Sequence, residues 1–198
     1  GVHFKNSTAI QEAEQIDTVL FDLNGTLTTG IPQIRTYGLT ADTSCSIEQL
    51  FSICAALETQ AKHPIGETIY AFTKMHNKEH LTAAQLNSKH HAGIVGMIAG
   101  QEYAIGGSGL MQSKGIATQH IAQKLRMQAG DSMVYVAQGQ RLLGYFIISD
   151  PLRPDALKTI NTLKKMGKEI HLCTGADEET ARRYASALGI KHIYANSV

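Results

Sequence analysis

Residues 18–28 read Thr18-Val19-Leu20-Phe21-Asp22-Leu23-Asn24-Gly25-Thr26-Leu27-Thr28, an apolar run followed by an aspartate and a glycine-threonine turn. The apolar run predicts a buried strand, and Asp22 then stands at its carboxyl end, the edge at which open α/β sheets bind ligands. Gly25 permits a tight turn, and the backbone N–H groups of such a turn can hold a phosphate. An aspartate in this position can attack phosphorus and carry the phosphoryl group. An ordinary Asp/Asn-Gly turn is the alternative.

The composition is typical of a globular chain. Its 198 residues suffice for one large domain or two small ones, with a formal net charge of +1 and 43% hydrophobic residues. No basic stripe with interleaved aromatic residues suggests a nucleic-acid partner, and no apolar run approaches the roughly 18–20 residues that cross a bilayer. Cys45, Cys54 and Cys173 lack metal-ligand spacing and are typical of reduced, buried thiols. The chain starts at Gly1 without a methionine, which suggests a cut boundary.

The order of the predicted elements suggests one domain inserted into another. Predicted helices are Ala9–Gln15, Ser46 to about Gln60, Pro64 to about His76, Ala117–Gln128, Pro154–Met166 and Glu178–Leu188; predicted strands are Val19–Phe21, Gln33–Leu39, Ile94–Ala99, Glu102–Ile105, Ser132–Ala137, Arg141–Ile148, Glu169–Cys173 and a last one from Ile193. Strand-turn-helix units thus lie at both ends, and antiparallel hairpins lie between them. A split α/β domain of residues 1–32 and 149–198, with an α+β domain of residues 33–148 inserted, explains this order.

A second strand end supplies a partner for Asp22. The stretch Leu172-Cys173-Thr174-Gly175 is again an apolar strand that ends in a hydroxyl residue and a glycine. If the two strands are neighbours, Thr174 comes within hydrogen-bond reach of a phosphoryl group on Asp22; taken alone, Thr174 can equally cap a helix. This order resembles motifs one and two of the haloacid dehalogenase-like phosphotransferases, and residues 22–28 resemble the Asp-Lys-Thr-Gly-Thr-Leu-Thr motif of P-type ATPases. The resemblance implies that Asp22 is the phosphate acceptor, assisted by Thr26 and Thr174.

The middle of the chain resembles the nucleotide-binding segments of heavy-metal-transporting P-type ATPases. The stretch Glu58-Thr59-Gln60-Ala61-Lys62-His63-Pro64-Ile65 is similar to their Glu-x-x-Ser-x-His-Pro-Leu segment. This implies that Glu58 and His63 bind the adenine of ATP. The glycines Gly93, Gly96 and Gly106 fall in a run similar to the next glycine-rich segment of that subgroup, where they allow close approach of adenosine.

Two further segments complete the resemblance. Asp150-Pro151-Leu152-Arg153-Pro154 is similar to the Asp-x-x-Arg-Pro segment at the domain junction of P-type ATPases, where Asp150 and Arg153 can reach nucleotide phosphates or each other. The alternative is a turn before a helix with an exposed ion pair of little energetic value. Residues 1–6 are similar to the segment that leaves the membrane domain.

The resemblance implies an α/β, haloacid dehalogenase-like Rossmannoid phosphorylation domain with an inserted α+β nucleotide-binding domain. It implies ATP as substrate and Mg²⁺ held by the Asp22 carboxylate and the backbone carbonyl of Asn24. It places the region on the cytoplasmic face of a membrane, joined to a membrane domain that binds the transported heavy-metal ion. Family frequency favours Cu(I). The histidines His76, His80, His90 and His91 are expected on a solvated surface, not at a metal site.

Three departures from the family pattern predict impaired activity. Leu23 replaces a lysine, Asn24 replaces a threonine, and Ala176 replaces an aspartate. The downstream Gly-Asp-Gly-x-Asn-Asp motif is not in this sequence, so this chain alone is expected to be inactive. Asn24 also lacks the acid–base chemistry of the aspartate that phosphatases of the superfamily carry there. The alternatives are a soluble haloacid dehalogenase-like phosphatase and a non-catalytic nucleotide-binding regulatory module.

Overall fold

A computed structural model describes residues 17–41, 43–89 and 93–197. The predicted helix Ala9–Gln15, the opening segment 1–6, and His90 and His91 lie outside the described residues. In chain order the elements are β1 (Thr18–Asp22), β2 (Gln33–Leu39), α1 (Ile47–Leu57), α2 (Pro64–His76), β3 (Ala84–Lys89), β4 (Gly93–Ile98), β5 (Gln101–Gly106), α3 (Ser108–Ser113), α4 (Gln119–Ala122), β6 (Asp131–Gln138), β7 (Arg141–Ser149), α5 (Ala156–Lys165), β8 (Glu169–Cys173), α6 (Glu178–Leu188) and β9 (His192–Tyr194).

The described residues form two compact units. The first contains the described parts of Gly1–Ile31 and Asp150–Val198, together with Gln128–Asp131. The second contains the described parts of Pro32–Met127, together with Ser132–Ser149.

The first unit is a parallel three-stranded sheet in the order β1-β8-β9. Because side chains alternate along a strand, Val19 and Phe21 of β1 point to one face and are buried, whereas Leu20 and Asp22 on the other face are exposed. Helices α5 and α6 cover the buried face. The buried side chains of this core are Val19, Phe21, Leu23, Leu27, Ala156, Ile160, Leu163, Ile170, Leu172, Tyr184, Leu188 and Ile190.

Helix α6 carries terminal signals that are readable from the sequence. Asp177 precedes it, and the Asp177 carboxylate accepts the Thr180 N–H at 2.8 Å, as expected of an N-cap. Gly189 closes the helix in the left-handed conformation. These caps define the helix that follows the Thr174 turn.

The second unit is a six-stranded antiparallel sheet in the order β2-β7-β6-β5-β4-β3. Helices α1 and α2 contribute to one core cluster, which includes Leu50, Leu57 and Ile69 together with Phe146 of the sheet. A second cluster joins Leu110 and Met111 of α3 to sheet residues such as Tyr135. Within the described ranges, no helix combines the length and apolar character needed to cross a membrane.

The predicted helix Ala117–Gln128 is wrong. Only Gln119–Ala122 is helical, and hydrogen bonds such as Lys124 N–H to Ile121 O (3.2 Å) close four-residue turns instead of continuing the helix. Ile121 and Leu125 still pack on the second cluster, so tertiary packing uses the apolar spacing without a long helix. Strand β3 and helix α3 had not been predicted.

Candidate functional site

The loop after β1, residues 23–30, is a tight turn around one carbonyl group. The Leu23 carbonyl accepts the N–H groups of Thr26 (3.3 Å), Leu27 (2.8 Å) and Thr28 (3.3 Å). Gly25 has φ +85°, and a Cβ added to it would meet open space, so the conformation of the turn, not crowding, favours glycine. Leu23 is fully buried in the first unit's core. The leucine that stands where the similar motif has lysine therefore packs in the core and does not extend toward solvent.

Asp22 and Thr174 come together at one edge of the sheet. Asp22 is the register partner of Cys173, the residue before Thr174, and the Leu23 N–H donates to the Cys173 carbonyl at 2.9 Å. Asp22 is exposed, whereas Thr174 is buried. Thr26, half-buried, lies in the turn four residues after Asp22. The structure thus brings all three predicted catalytic residues to the carboxyl ends of β1 and β8.

The Asn24 side chain links three segments of the chain. The Thr174 hydroxyl donates to Asn24 Oδ1 at 2.6 Å, and Asn24 Nδ2 donates to Asp150 Oδ2 at 2.9 Å. Both ends of the amide are therefore engaged in hydrogen bonds. Through these two hydrogen bonds the Asn24 side chain connects the Thr174 hydroxyl to the Asp150 carboxylate, and its amide is not an acid or base at neutral pH.

Asp150 holds the loop after β1 from a distant part of the chain. Besides Asn24, its carboxylate accepts the Thr28 hydroxyl at 2.8 Å, the Gly30 N–H at 3.0 Å and the Thr29 hydroxyl at 3.3 Å. Thr28 is fully buried. A carboxylate that accepts this many hydrogen bonds is held firmly, since charge-assisted hydrogen bonds are roughly twice as strong as neutral ones. The sequence motif includes Thr28, but its pattern alone assigned this residue no role.

Arg153 and Tyr184 support the same loop. Arg153 Nε donates to the Thr28 carbonyl at 3.1 Å, and its backbone N–H donates to the Leu27 carbonyl at 2.8 Å. The buried Tyr184 hydroxyl donates to the Asp150 carbonyl. Burial, with Asp150 nearby as the next cause, raises the pKa of Tyr184 well above its usual range, so this donor keeps its proton. Asp150 and Arg153, predicted as phosphate contacts or as an ion pair, thus both bind the loop after β1.

The oxygen donors at this edge suit a magnesium ion. Mg²⁺ prefers carboxylate and carbonyl oxygens in an octahedral set that keeps several waters. The exposed Asp22 carboxylate and the backbone carbonyl of Asn24 are of this kind. The Asp150 carboxylate oxygens are less available to a metal ion, because they already accept hydrogen bonds from Asn24, Thr28 and Gly30.

In the second unit, Glu58 is an unusually buried carboxyl group. It lies at the C-terminal end of α1 and is 8% exposed, and burial raises its pKa to about 7. A Cβ added to Gly66, in the first turn of α2, would lie 2.3 Å from Glu58 Oε2. Gly66 therefore leaves room for the carboxyl group, a role that sequence reasoning missed; a glycine two positions after a helix-starting proline was the available signal.

The remaining predicted nucleotide residues lie on neighbouring elements. His63 is the exposed N-cap of α2, and its Nδ1 accepts the Ile65 N–H at 3.2 Å. Gly93 and Gly106 are opposite each other in the β4–β5 pair. A Cβ on Gly96 would lie 3.0 Å from Leu57 Cδ2, next to Glu58. The end of α1, the start of α2 and strand β4 thus meet in one region of the second unit.

The raised pKa of Glu58 predicts how stability depends on pH. Between pH 4.5 and about 7 the unfolded chain loses this proton while the folded chain keeps it, so the free energy of unfolding falls as pH rises, by about 3 kcal/mol in total. Glu58→Gln should remove this decline and should be the more stable protein at pH 8. Urea denaturation at pH 5, 6, 7 and 8 measures the effect.

The matched control for this experiment is Glu67→Gln. Glu67 is an exposed glutamate in the first turn of α2, so its variant should keep the wild-type pH dependence. Equal pH slopes for wild type and Glu58→Gln would show that Glu58 does not hold its proton in the folded protein.

Comparison with known proteins gives consistent relatives. The model of a family described as haloacid dehalogenase-like hydrolase matches residues 16–198. A copper-exporting P-type ATPase of Vibrio cholerae is 29% identical over 198 residues, which cover 98% of this chain and 21% of that protein. A silver exporting P-type ATPase of Salmonella typhimurium is 31% identical over 201 residues, covering 98% of this chain and 24% of that protein. The chain therefore spans less than a quarter of the length of these relatives.

Solved structures show the same architecture. The catalytic domain of the CPx-ATPase CopB-B superposes with a TM-score of 0.65 at 23% identity, covering 97% of this chain and 66% of that one. A zinc-transporting PIB-type ATPase in its E2.Pi state gives a TM-score of 0.57 at 26% identity, covering 92% of this chain and 30% of that one. The predicted fold class and the resemblance to heavy-metal P-type ATPases are confirmed.

Proposed function

The chain belongs to the haloacid dehalogenase-like hydrolase family, and from this premise we propose that it is the ATP-binding and phosphorylation region of a P-type ATPase that exports heavy-metal cations. The first unit is the phosphorylation domain, and the second is the nucleotide-binding domain. One observation carries the proposal: an exposed carboxylate, Asp22, ends a parallel strand beside the buried Thr174.

Asp22 is the nucleophile. Its carboxylate oxygen attacks the γ-phosphorus of ATP, a new P–O bond forms, and the bond from the γ-phosphorus to the bridging oxygen breaks so that ADP leaves. Mg²⁺ held by Asp22 and the Asn24 carbonyl would offset negative charge on the phosphoryl group. Thr26 and Thr174 supply hydroxyl groups at the strand ends, and Thr174 is oriented by its 2.6 Å hydrogen bond to Asn24.

The hydrogen bonds of Asn24 support slow hydrolysis of the aspartyl-phosphate over the rapid hydrolysis expected of a phosphatase. Both ends of the Asn24 amide are hydrogen-bonded, so no acid–base group at that position activates water. An aspartyl-phosphate formed here would therefore persist long enough to be detected. We also propose that phosphorylation is slower than in relatives that carry lysine, threonine and aspartate at positions 23, 24 and 176. Leu23 lacks the positive charge of the lysine, and Ala176 lacks the negative charge of the aspartate.

The second unit is proposed to bind the adenine moiety. Glu58 keeps its proton up to about pH 7, so its carboxyl group can both donate and accept hydrogen bonds at the adenine edge. His63 is exposed at the start of α2 and can stack on or hydrogen-bond a purine. The adjoining glycines Gly93, Gly96 and Gly106 keep side chains away from this region.

ATP binding to the 198-residue chain tests the role of the second unit. Calorimetric titration should show saturable binding of ATP, and His63→Ala should weaken it about tenfold, the equivalent of about 1.4 kcal/mol of binding free energy. His80→Ala is the matched control, since His80 is an exposed histidine of the same unit, and it should bind like wild type. Equal affinity for ATP in His63→Ala and wild type would remove His63 from the site.

The complete protein defines the wider setting of the proposal. We propose that a membrane domain of the same protein binds the transported ion, with Cu(I) as the leading candidate, and that this region lies on the cytoplasmic face of the membrane. The copper- and silver-exporting relatives support the class of cargo. Uptake of Cu(I) into inverted vesicles that contain the complete protein, dependent on ATP, tests it against Ag(I) and Zn²⁺.

A further inference from the structure

We propose that the first unit carries a second metal site, for a transition-metal dication such as Zn²⁺, formed by Glu169, His171 and His192 and independent of phosphoryl transfer. One ligand atom from each of these residues lies within 4.8 Å of the others. No family motif in the sequence includes them.

The register of the sheet places the three side chains on one face. His171 of β8 and His192 of β9 are direct register partners, and Glu169 lies two positions before His171 on the same strand, so all three side chains point the same way. This is the face opposite the core: Ile170 and Leu172, the alternate residues of β8, are buried. The cluster is therefore built by rigid strands and not by a loop.

The distances suit a shared cation. Glu169 Oε1 lies 3.0 Å from His192 Nε2 and 3.5 Å from His171 Nε2. Ligand atoms around a tetrahedral zinc ion, with zinc–ligand bonds of about 2.0–2.1 Å, lie about 3.4 Å apart. One carboxylate oxygen and two imidazole nitrogens are therefore spaced as three ligands. Because the two imidazole rings stack nearly parallel with their centroids 4.3 Å apart, one ring must turn about χ2 to direct its nitrogen at a shared ion.

His171 shows an unsatisfied nitrogen within this cluster. Its Nε2 is buried and has no hydrogen-bond partner among residues 17–41, 43–89 and 93–197, although unsatisfied buried polar atoms are rare. Its other nitrogen, Nδ1, is 2.9 Å from the Tyr194 hydroxyl, the kind of outer contact that orients metal-bound histidines. A metal ion at this point would bond to both imidazole nitrogens and to the carboxylate oxygen together.

Two imidazoles and one carboxylate favour a metal ion of intermediate hardness, such as zinc, over the hard magnesium ion. Imidazole suits zinc, copper and nickel, whereas magnesium prefers oxygen ligands. Mg²⁺ at the Asp22 edge and Zn²⁺ at this cluster are thus chemically separable, and the two metals can be tested against each other on the same chain.

Calorimetric titration and thermal unfolding of the 198-residue chain with ZnCl₂ or MgCl₂ test the site. We expect one saturable Zn²⁺ site that raises the unfolding temperature. MgCl₂ should not compete for this site, because a magnesium ion would bind the oxygen ligands at the Asp22 edge instead. His192→Ala should weaken Zn²⁺ binding at least about tenfold, since losing even an outer-shell partner of a metal ligand costs about 10–100-fold. His192 is exposed, so this variant should fold normally; His171→Asn is the second ligand variant.

His120→Ala is the matched control, because His120 is an exposed histidine of the second unit, and it should bind Zn²⁺ like wild type. Zn²⁺ binding that survives both His192→Ala and His171→Asn would place the metal elsewhere and overturn the proposal. Absence of saturable Zn²⁺ binding in the wild type would also overturn it.

Discussion

Asp22→Asn in the complete protein should abolish the acid-stable radiolabel that wild type acquires from γ-labelled ATP and Mg²⁺. The amide is neutral and a poor nucleophile, so the new P–O bond cannot form, and we expect a loss of at least about 100-fold in labelling. The wild-type label should be released by hydroxylamine, which attacks acyl phosphates. Binding of ATP should be nearly unchanged, since Asp22 lies in the first unit and the predicted adenine residues lie in the second.

Asp17→Asn is the matched control for this experiment. Asp17 is an exposed aspartate just before β1, at the opposite end of the strand from Asp22, and its variant should label like wild type. A hydroxylamine-labile label that persists in Asp22→Asn would exclude Asp22 as the acceptor. ATP binding by a wild-type protein that never acquires a label would favour the non-catalytic nucleotide-binding module.

Asp150→Asn should destabilise the first unit by about 3 kcal/mol and slow phosphorylation. The amide keeps one acceptor oxygen, but its NH₂ group then faces Asn24 Nδ2 or the Gly30 N–H, and two donors cannot bond to each other. Hydrogen bonds to a charged group contribute about 1.5–3 kcal/mol each, and an unsatisfied buried donor adds about 1–3 kcal/mol. Urea denaturation measures the stability, and amide hydrogen exchange at Gly30 reports the loop directly.

Asp155→Asn separates this effect from a general loss of negative charge. Asp155 is exposed, precedes α5 and makes no side-chain capping hydrogen bond, so its variant should remain within about 0.5 kcal/mol of wild type. If Asp150→Asn is no less stable than Asp155→Asn, and Gly30 exchanges at the wild-type rate, then Asp150 does not hold the loop.

Much of the fold was predictable because its signals are local. The apolar run Val19–Phe21 specifies a strand, although the exposure of Leu20 on one face of that strand was not predicted. Ser46 with Gln49 forms the capping box that starts α1. Asp177 and Gly189 likewise mark the two ends of α6. The helix predicted over residues 117–128 was wrong because apolar spacing alone does not distinguish a long helix from tight turns that present the same side chains to a core.

The candidate site was predictable only in part. Asp22 and Thr174 follow apolar strands, so their meeting requires only that β1 and β8 be neighbours, which the structure shows. The contacts of Asp150 were not predictable, because its carboxylate binds Asn24 across 126 residues of sequence. Gly66 and Glu58 form a similar case, since neither residue indicates by itself that a carboxyl group is buried against a helix.

The sequence alone therefore establishes the strand that ends in Asp22, the turn at Gly25 and the helix caps, since each depends on neighbouring residues and backbone hydrogen bonds. It also establishes the family of the chain, because the family motifs are short stretches of neighbouring residues. Only the tertiary structure establishes that Leu23 is a core residue, that Asn24 and Asp150 brace the loop, and that His171 and His192 are register partners. These features depend on strand order and on the free energy of excluding water from particular side chains, and both emerge only when distant segments of the chain pack together.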